Sequence, residues 1–285
     1  MEKEPGTSAC KELDCVTLLF FHLYGNYLSI IAVQLQEWKD AGARARFHPP
    51  RRKKVTSLHM AVDVGCGTGQ SSHLLAKRFE KVVGTDVSEA QIEEAKRTAH
   101  PPNVSYLVCP AEELPFEDCS VDLLTAFTAA HWFDIPRFMK EVDRLLKPSG
   151  CVALSTNTLD MRLHYKDCSE KLTEIFREVL GQISPYSNEK IKFVTDDYKA
   201  IFDSLPFQDK ERITDILDKL PMSVADLMGY IQSFSSYQTF LKAQPEAAKS
   251  LIQNTEQRIL ETMGVSSRET KLELCTRHVC VLGYK

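Results

Sequence analysis

The segment Asp63-Val64-Gly65-Cys66-Gly67-Thr68-Gly69 carries the densest chemical signal in the chain. Its alternate glycines let the backbone turn sharply and let a ligand come close, because glycine enters left-handed backbone without a steric penalty. An apolar run, Met60 to Val64, precedes the turn, and a helical pattern, Ser71 to Phe79, follows it. A helix opening there directs free amides at electron-rich groups. Asp86 closes the next apolar run, Lys81 to Thr85. An acid at such a strand end can accept from both hydroxyls of a ribose. The plain alternatives are a tight turn for the glycines and a helix cap for Asp86.

The spacing separates two kinds of ligand. A dinucleotide fingerprint reads G-x-G-x-x-G, whereas here the glycines fall as G-x-G-x-G, with Gln70 where the third would stand. Asp63 would repel a pyrophosphate and suits a cationic amine. S-adenosylmethionine has an amino-acid end, a sulfonium charge and a ribose but no phosphate, so Asp63, the loop and Asp86 fit it. An NAD-dependent oxidoreductase is the disfavoured rival.

These residues need a frame. Met60–Val64, Lys81–Thr85, Val104–Val108, Val121–Phe127 and Cys151–Ser155 read as strands. Helices are expected over Ser71–Phe79, over Glu89–Thr98 behind the cap Ser88, and over Ile135–Leu146 before Lys147-Pro148-Ser149-Gly150. Strands alternating with helices predict a parallel sheet covered on both faces. After Asn157 the pattern turns mostly helical until about Met263, and Leu272–Tyr284 returns to strand. The expected division is 1–56, a helical segment and basic linker; 57–158, the cofactor-binding core; 159–265, a helical substrate cover; and 266–285, strands completing the sheet.

Composition narrows the partners. With 43% hydrophobic and 26% charged residues the 285-residue chain is an ordinary globular protein. Its net charge of −4 argues against gripping nucleic acid. The nine cysteines form no C-x-x-C pair, so neither a zinc ribbon nor a disulfide framework is expected and no metal site is read. That usage suits a reducing compartment, and the cytoplasm is the expected location. Cys15–Leu35 lacks Asp, Glu, Lys and Arg and has about the length of a membrane span. His22, Asn26 and Gln34 dilute it, so a buried helix with Leu28, Ile31, Leu35 and Trp38 on one face is the favoured reading. Arg51-Arg52-Lys53-Lys54 beside two prolines reads as a linker.

From His59 to Thr156 the sequence resembles the class I S-adenosylmethionine-dependent methyltransferases of the type 11 subgroup. Asp63–Gly69 matches the first motif, whose loop (Gly65, Cys66, Gly67, Thr68 and Gly69) wraps the methionine part of the cofactor. Asp86 matches the ribose-binding acid, followed by Val87. Cys109-Pro110-Ala111-Glu112-Glu113-Leu114-Pro115-Phe116 is similar to the adenine-side motif, implying contacts by Ala111 and Glu112; Pro110 stands where an acid is usual. Lys147-Pro148-Ser149-Gly150 resembles the turn before the fifth strand. Thr128-Ala129-Ala130-His131-Trp132-Phe133-Asp134 resembles a segment of trans-aconitate methyltransferases and implies that Thr128, His131 and Trp132 lie near the transferable methyl. The resemblance implies a doubly wound, Rossmann-like, mostly parallel seven-stranded sheet with a helical insertion before the C-terminal strands.

The implied activity is methyl transfer from S-adenosylmethionine to a small molecule by in-line displacement. A carboxylate acceptor needs no base but needs a cation, for which Arg137, Arg162 and the pair Arg277-His278 are candidates. A hydroxyl or amine needs a base, and His131 is the first candidate. His131 could equally be a core histidine, and Trp132 a packing residue. The N-terminal Leu23-Tyr24-Gly25-Asn26-Tyr27 lacks the arginine that relatives carry, which keeps a catalytically silent cofactor-binding scaffold as the rival function.

Overall fold

The structure, a computed structural model, describes residues 58–285. The expected N-terminal helix, the stretch 15–35 and the expected basic linker lie outside them. Among the described residues seven strands form one sheet in the order β3-β2-β1-β4-β5-β7-β6. They are β1 (Met60–Val64), β2 (Lys81–Asp86), β3 (Val104–Val108), β4 (Val121–Phe127), β5 (Leu146–His164), β6 (Asp209–Ser223) and β7 (Lys271–Tyr284). The pairings from β3 through β5 are all parallel. The order reverses between β1 and β4, which opens a crevice at their carboxyl ends.

β1 and β4 are buried along their whole length, as central parallel strands covered on both faces must be. The helices behind them are α1 (Gln70–Leu75), α2 (Glu89–Arg97) and α3 (Ile135–Leu145). α3 starts where Asp134 accepts from the Arg137 amide, with Pro136 in the first turn where its missing N–H costs nothing. It buries Ile135, Phe138, Met139, Val142 and Leu145, each stabilising by about 1.5–3 kcal/mol relative to exposure. The expected stop at Lys147–Gly150 is a bulge in β5: the pairing jumps from Val121↔Leu146 to Leu123↔Cys151, with Ser149 at φ 75°.

The remaining helices are α4 (Ser169–Ile183), α5 (Ile191–Thr195), α6 (Lys199–Ser204), α7 (Val224–Ser233), α8 (Ser235–Ala243) and α9 (Pro245–Met263). The span expected to be helical thus also carries β6. Ile213, Ile216, Leu217 and Leu220 fall at helical spacing, yet Ile216, Asp218, Leu220 and Met222 alternate into the interior and leave Leu217 exposed. Asp218 on the inner face hid that alternation.

The chain divides into two compact units, with boundaries inside the long strands and at the start of the helix Ile191–Thr195. One contains 58–158, Lys192–Ile216 and His278–Lys285. The other contains Leu159–Ile191 and Leu217–Arg277. The second has its own core, with Phe176 and Val179 of α4, Leu227 and Ile231 of α7, and Ile259 of α9. Among the described residues no helix is long and apolar enough to cross a membrane, and no three His, Cys, Asp or Glu side chains gather as metal ligands.

Candidate active site

The turn after β1 is fixed from below by Asp63, which is fully buried. Its carboxylate accepts from Ser71 Oγ at 2.6 Å and Ser72 Oγ at 2.7 Å on α1, and from Thr125 Oγ1 at 2.9 Å on β4. Burial pushes its carboxyl above the ordinary range, and the three hydroxyls pull the other way. Gly65, Gly67 and Gly69 take φ of 69°, 56° and 84°, backbone that L side chains avoid. A Cβ on Gly65 would lie 2.5 Å from Ala129 Cβ in the loop after β4. One on Gly69 would overlap Tyr106 Oη, which donates to the Gly69 carbonyl at 3.3 Å. A Cβ on Gly67 would meet only Gln91 Oε1, at 3.8 Å, so this part of the loop faces open space.

Asp86, at the end of β2, is joined to that loop. Its Oδ2 accepts from the Gly67 amide at 3.0 Å and its Oδ1 from the Ser88 amide at 2.9 Å. Val87 beside it is 75% exposed. The Cys109 amide donates to the Asp86 carbonyl, which brings the end of β3 against the end of β2. Ala111 is buried, and Glu112 Oε1 accepts from the Asp134 amide at 2.7 Å. Cys66 is buried near Asp63 and Asp86; burial first, and then those charges, hold its thiol far above the ordinary range, so it stays a neutral packing group. Thr68 Oγ1 accepts from Gln70 Nε2 at 3.4 Å.

The loop after β4 is built differently. Thr128, a β-branched residue, sits at φ 51° while its amide donates to the Ser155 carbonyl at 2.7 Å. Such a conformation costs about 1–3 kcal/mol. A single turn, Ala130–Trp132, follows. His131 is buried with Nδ1 2.8 Å from Tyr198 Oη, and Trp132, 43% exposed, lies with its ring 5.1 Å from the imidazole.

Tyr198 comes from the turn between α5 and α6. The Asp197 amide donates to the Val194 carbonyl and the Tyr198 amide to the Phe193 carbonyl, a Schellman closure of α5. Asp197 and Tyr198 both lie in left-handed backbone, at φ 55° and 57°, at about 1–2 kcal/mol for each. Arg212 holds the Asp197 carbonyl at 3.1 Å, and the Tyr198 ring is fully buried.

The structure therefore gathers Asp63 through Gly69, Asp86, Val87, Ala111, Glu112, Thr128, His131 and Trp132 at the carboxyl ends of β1 to β4. Arg137 pairs with Glu113 at 3.0 Å and Arg162 with Asp160 at 3.4 Å, both exposed. Sequence reasoning passed over Ser71, Ser72, Thr125, Tyr106 and Tyr198. The adjacent serines opening α1 beneath a buried acid were a usable signal. Tyr198 offered none, because its role depends on a contact far along the chain.

A model described as a methyltransferase domain, type 11, matches residues 62–154. A Dictyostelium discoideum protein named as a candidate methyltransferase is 33% identical over 213 residues, covering 75% of this chain and 77% of that relative. An uncharacterized methyltransferase-like protein of Schizosaccharomyces pombe is 27% identical over 78% of this chain and 80% of its own length. Among solved structures, a candidate type II methyltransferase from Anaeromyxobacter dehalogenans matches with a TM-score of 0.64 at 25% identity, covering 80% of this chain and 91% of that one. The chain belongs to the class I S-adenosylmethionine-dependent methyltransferases, type 11 subgroup, and is an enzyme with S-adenosylmethionine as its cofactor.

Proposed function

We propose that the enzyme methylates a small-molecule acceptor by in-line displacement at the cofactor's methyl. One observation carries the reading of the site: the Asp86 carboxylate is tied to the Gly67 amide at 3.0 Å beside the open face of the glycine loop. The residues present fit the cofactor there. Asp86 offers its carboxylate to the ribose hydroxyls, Val87 offers an exposed apolar face to the adenine, and Ala111 and Glu112 border the same side. Gly65, Cys66, Gly67, Thr68 and Gly69 wrap the methionine end with backbone. Asp63 acts through the loop, since its oxygens are engaged by three hydroxyls, and its charge favours the amine by proximity.

S-adenosylmethionine supplies an electrophilic methyl on sulfonium, so the protein has chiefly to align the acceptor and exclude water. Thr128 borders the methyl, and His131 and Trp132 face the acceptor. Titration calorimetry with S-adenosylmethionine, S-adenosylhomocysteine and NADH tests this. Saturable binding of the first two and none of NADH is expected. Asp86→Ala, which loses charged hydrogen bonds, should weaken binding about 10–100-fold with the fold retained. Unchanged affinity in that variant would remove the ribose assignment. Binding without turnover across a broad metabolite panel would overturn the small-molecule acceptor.

A further inference from the structure

We infer that Arg144, with Glu141, is a positioning residue for cofactor selection: it shapes the segment after β3 so that this segment recognises the adenine base. This rests on the adenine-side reading of Ala111 and Glu112 above. The first support is what the segment lacks. The connections after β1, β2 and β4 each carry a helix, whereas residues 109–120, between β3 and β4, carry none. Pro110 and Pro115 also withhold two backbone donors. Backbone outside helix and sheet must find partners elsewhere, and its shape follows from where they stand.

The second support is that one guanidinium supplies them. Arg144 uses all five of its N–H donors. Nε donates to Glu141 Oε1 at 2.8 Å, and Nη1 to the Phe116 carbonyl at 2.7 Å and Asp118 Oδ1 at 2.8 Å. Nη2 donates to the Leu114 carbonyl at 2.9 Å and Glu141 Oε2 at 2.7 Å. Glu141 Oε2 in turn accepts from the Leu114 amide at 2.9 Å, so both backbone groups of the buried Leu114 hang on α3. The hydrogen bond from Arg144 holds the Glu141 carboxyl below its ordinary range, which keeps it charged. A lysine, with three donors on one point, has no such fork.

The anchoring reaches the adenine side itself. Glu112 accepts from the Asp134 amide, and Glu113 pairs with Arg137. Asp134, Arg137, Glu141 and Arg144 advance by three, four and three residues, a single stripe from the cap of α3 to its last turn. The segment 112–118 is tied along that stripe before any cofactor arrives. Adenine differs from other purines in where donors and acceptors stand on its amino edge, and recognition of that kind needs groups fixed to about 0.5 Å.

Titration calorimetry of the full-length chain tests this with S-adenosylhomocysteine and S-inosylhomocysteine, which has an oxo group in place of adenine's amino group. The wild type should prefer the first. Arg144→Lys keeps the charge and the stem but loses the fork. It should bind S-adenosylhomocysteine about tenfold more weakly and S-inosylhomocysteine nearly as the wild type does, so the preference shrinks by the same factor. Arg258→Gln, which breaks an exposed pair with Glu178 in the other unit, should leave the preference unchanged. Wild-type preference in Arg144→Lys overturns the proposal, even if both ligands bind more weakly, because a purely structural role would weaken them alike. If that variant fails to fold, Glu141→Gln, which loses one of the two carboxylate acceptors, is read in the same way. Rapid hydrogen exchange at the Leu114 amide of the ligand-free wild type overturns it independently. Equal wild-type affinity for the two ligands would instead strike the adenine-side assignment of Ala111 and Glu112, and the proposal with it.

Discussion

The loops after β1 and β4 meet at one point, Gly65 against Ala129 and Phe133, yet they are built on opposite principles. The first obtains its left-handed turns from glycine, at no steric cost, and hangs from a buried carboxylate engaged by three hydroxyls. The second forces Thr128 into the same region and is steadied by Tyr198, a ring delivered from the turn between α5 and α6. A cofactor-wrapping loop must be shaped in advance by its own residues. The loop after β4 is instead held by a contact from a segment far along the chain, Tyr198 against His131.

The sharpest way to break this contrast is at the contact itself. Gly65→Ala should lose about 3 kcal/mol of stability, combining the left-handed backbone penalty with overlap onto Ala129. Urea unfolding of the variant checks the size. Adding Ala129→Gly should restore only the overlap part, leaving about 1–2 kcal/mol for the backbone. Full restoration would mean that the glycine is there for space and not for its φ.

The same contrast explains what could be read from the sequence. β1, β3 and β4 were expected at their observed bounds, because short, mostly apolar runs between turn residues read as strands where strands and helices alternate. The glycine loop and Asp86 were legible because their residue types sit at a strand end and a strand-to-helix turn, short segments that signal themselves, even though Asp86 reaches Gly67 across the sheet edge. β6 was not, since Ile213, Ile216, Leu217 and Leu220 satisfy a helix as well as a strand and Asp218 breaks the alternation. Tyr198 was hidden for a different reason. Its neighbour Asp197 signals a turn, but nothing local says which histidine that turn serves.

A smaller effect tests whether the strain at Thr128 is real. Thr128→Asn puts a residue that tolerates left-handed backbone into the same place, and stability should rise by about 1 kcal/mol. For a chain of this size that is a rise in Tm of about 2–4 °C. Turnover should fall, because the Thr128 side chain borders the methyl in the proposed site. A lower Tm would show that the Thr side chain contributes more than its backbone costs, and would bring the two loops closer in kind.

The smallest effect lies on the glycine side and depends on pH. His73, in α1, packs its ring near those of His100 and Tyr106, at centroid distances of 6.4 and 6.5 Å, and its amide closes the first turn onto the Gly69 carbonyl. Burial first, and His100 second, lower its pKa below the ordinary imidazole value of 6.5. The folded state therefore prefers His73 neutral, and below pH 6.5 the unfolded chain binds the extra proton. Stability from this group is fully present above pH 6.5 and is lost as pH falls through the folded-state value. Urea midpoints measured between pH 7.5 and 5 should decline in the wild type and decline less in His73→Gln. Equal slopes in the two proteins would mean that the acid sensitivity arises elsewhere. A reduced slope would place one acid-sensitive point in α1 at His73, the residue after the carboxylate-bound Ser72.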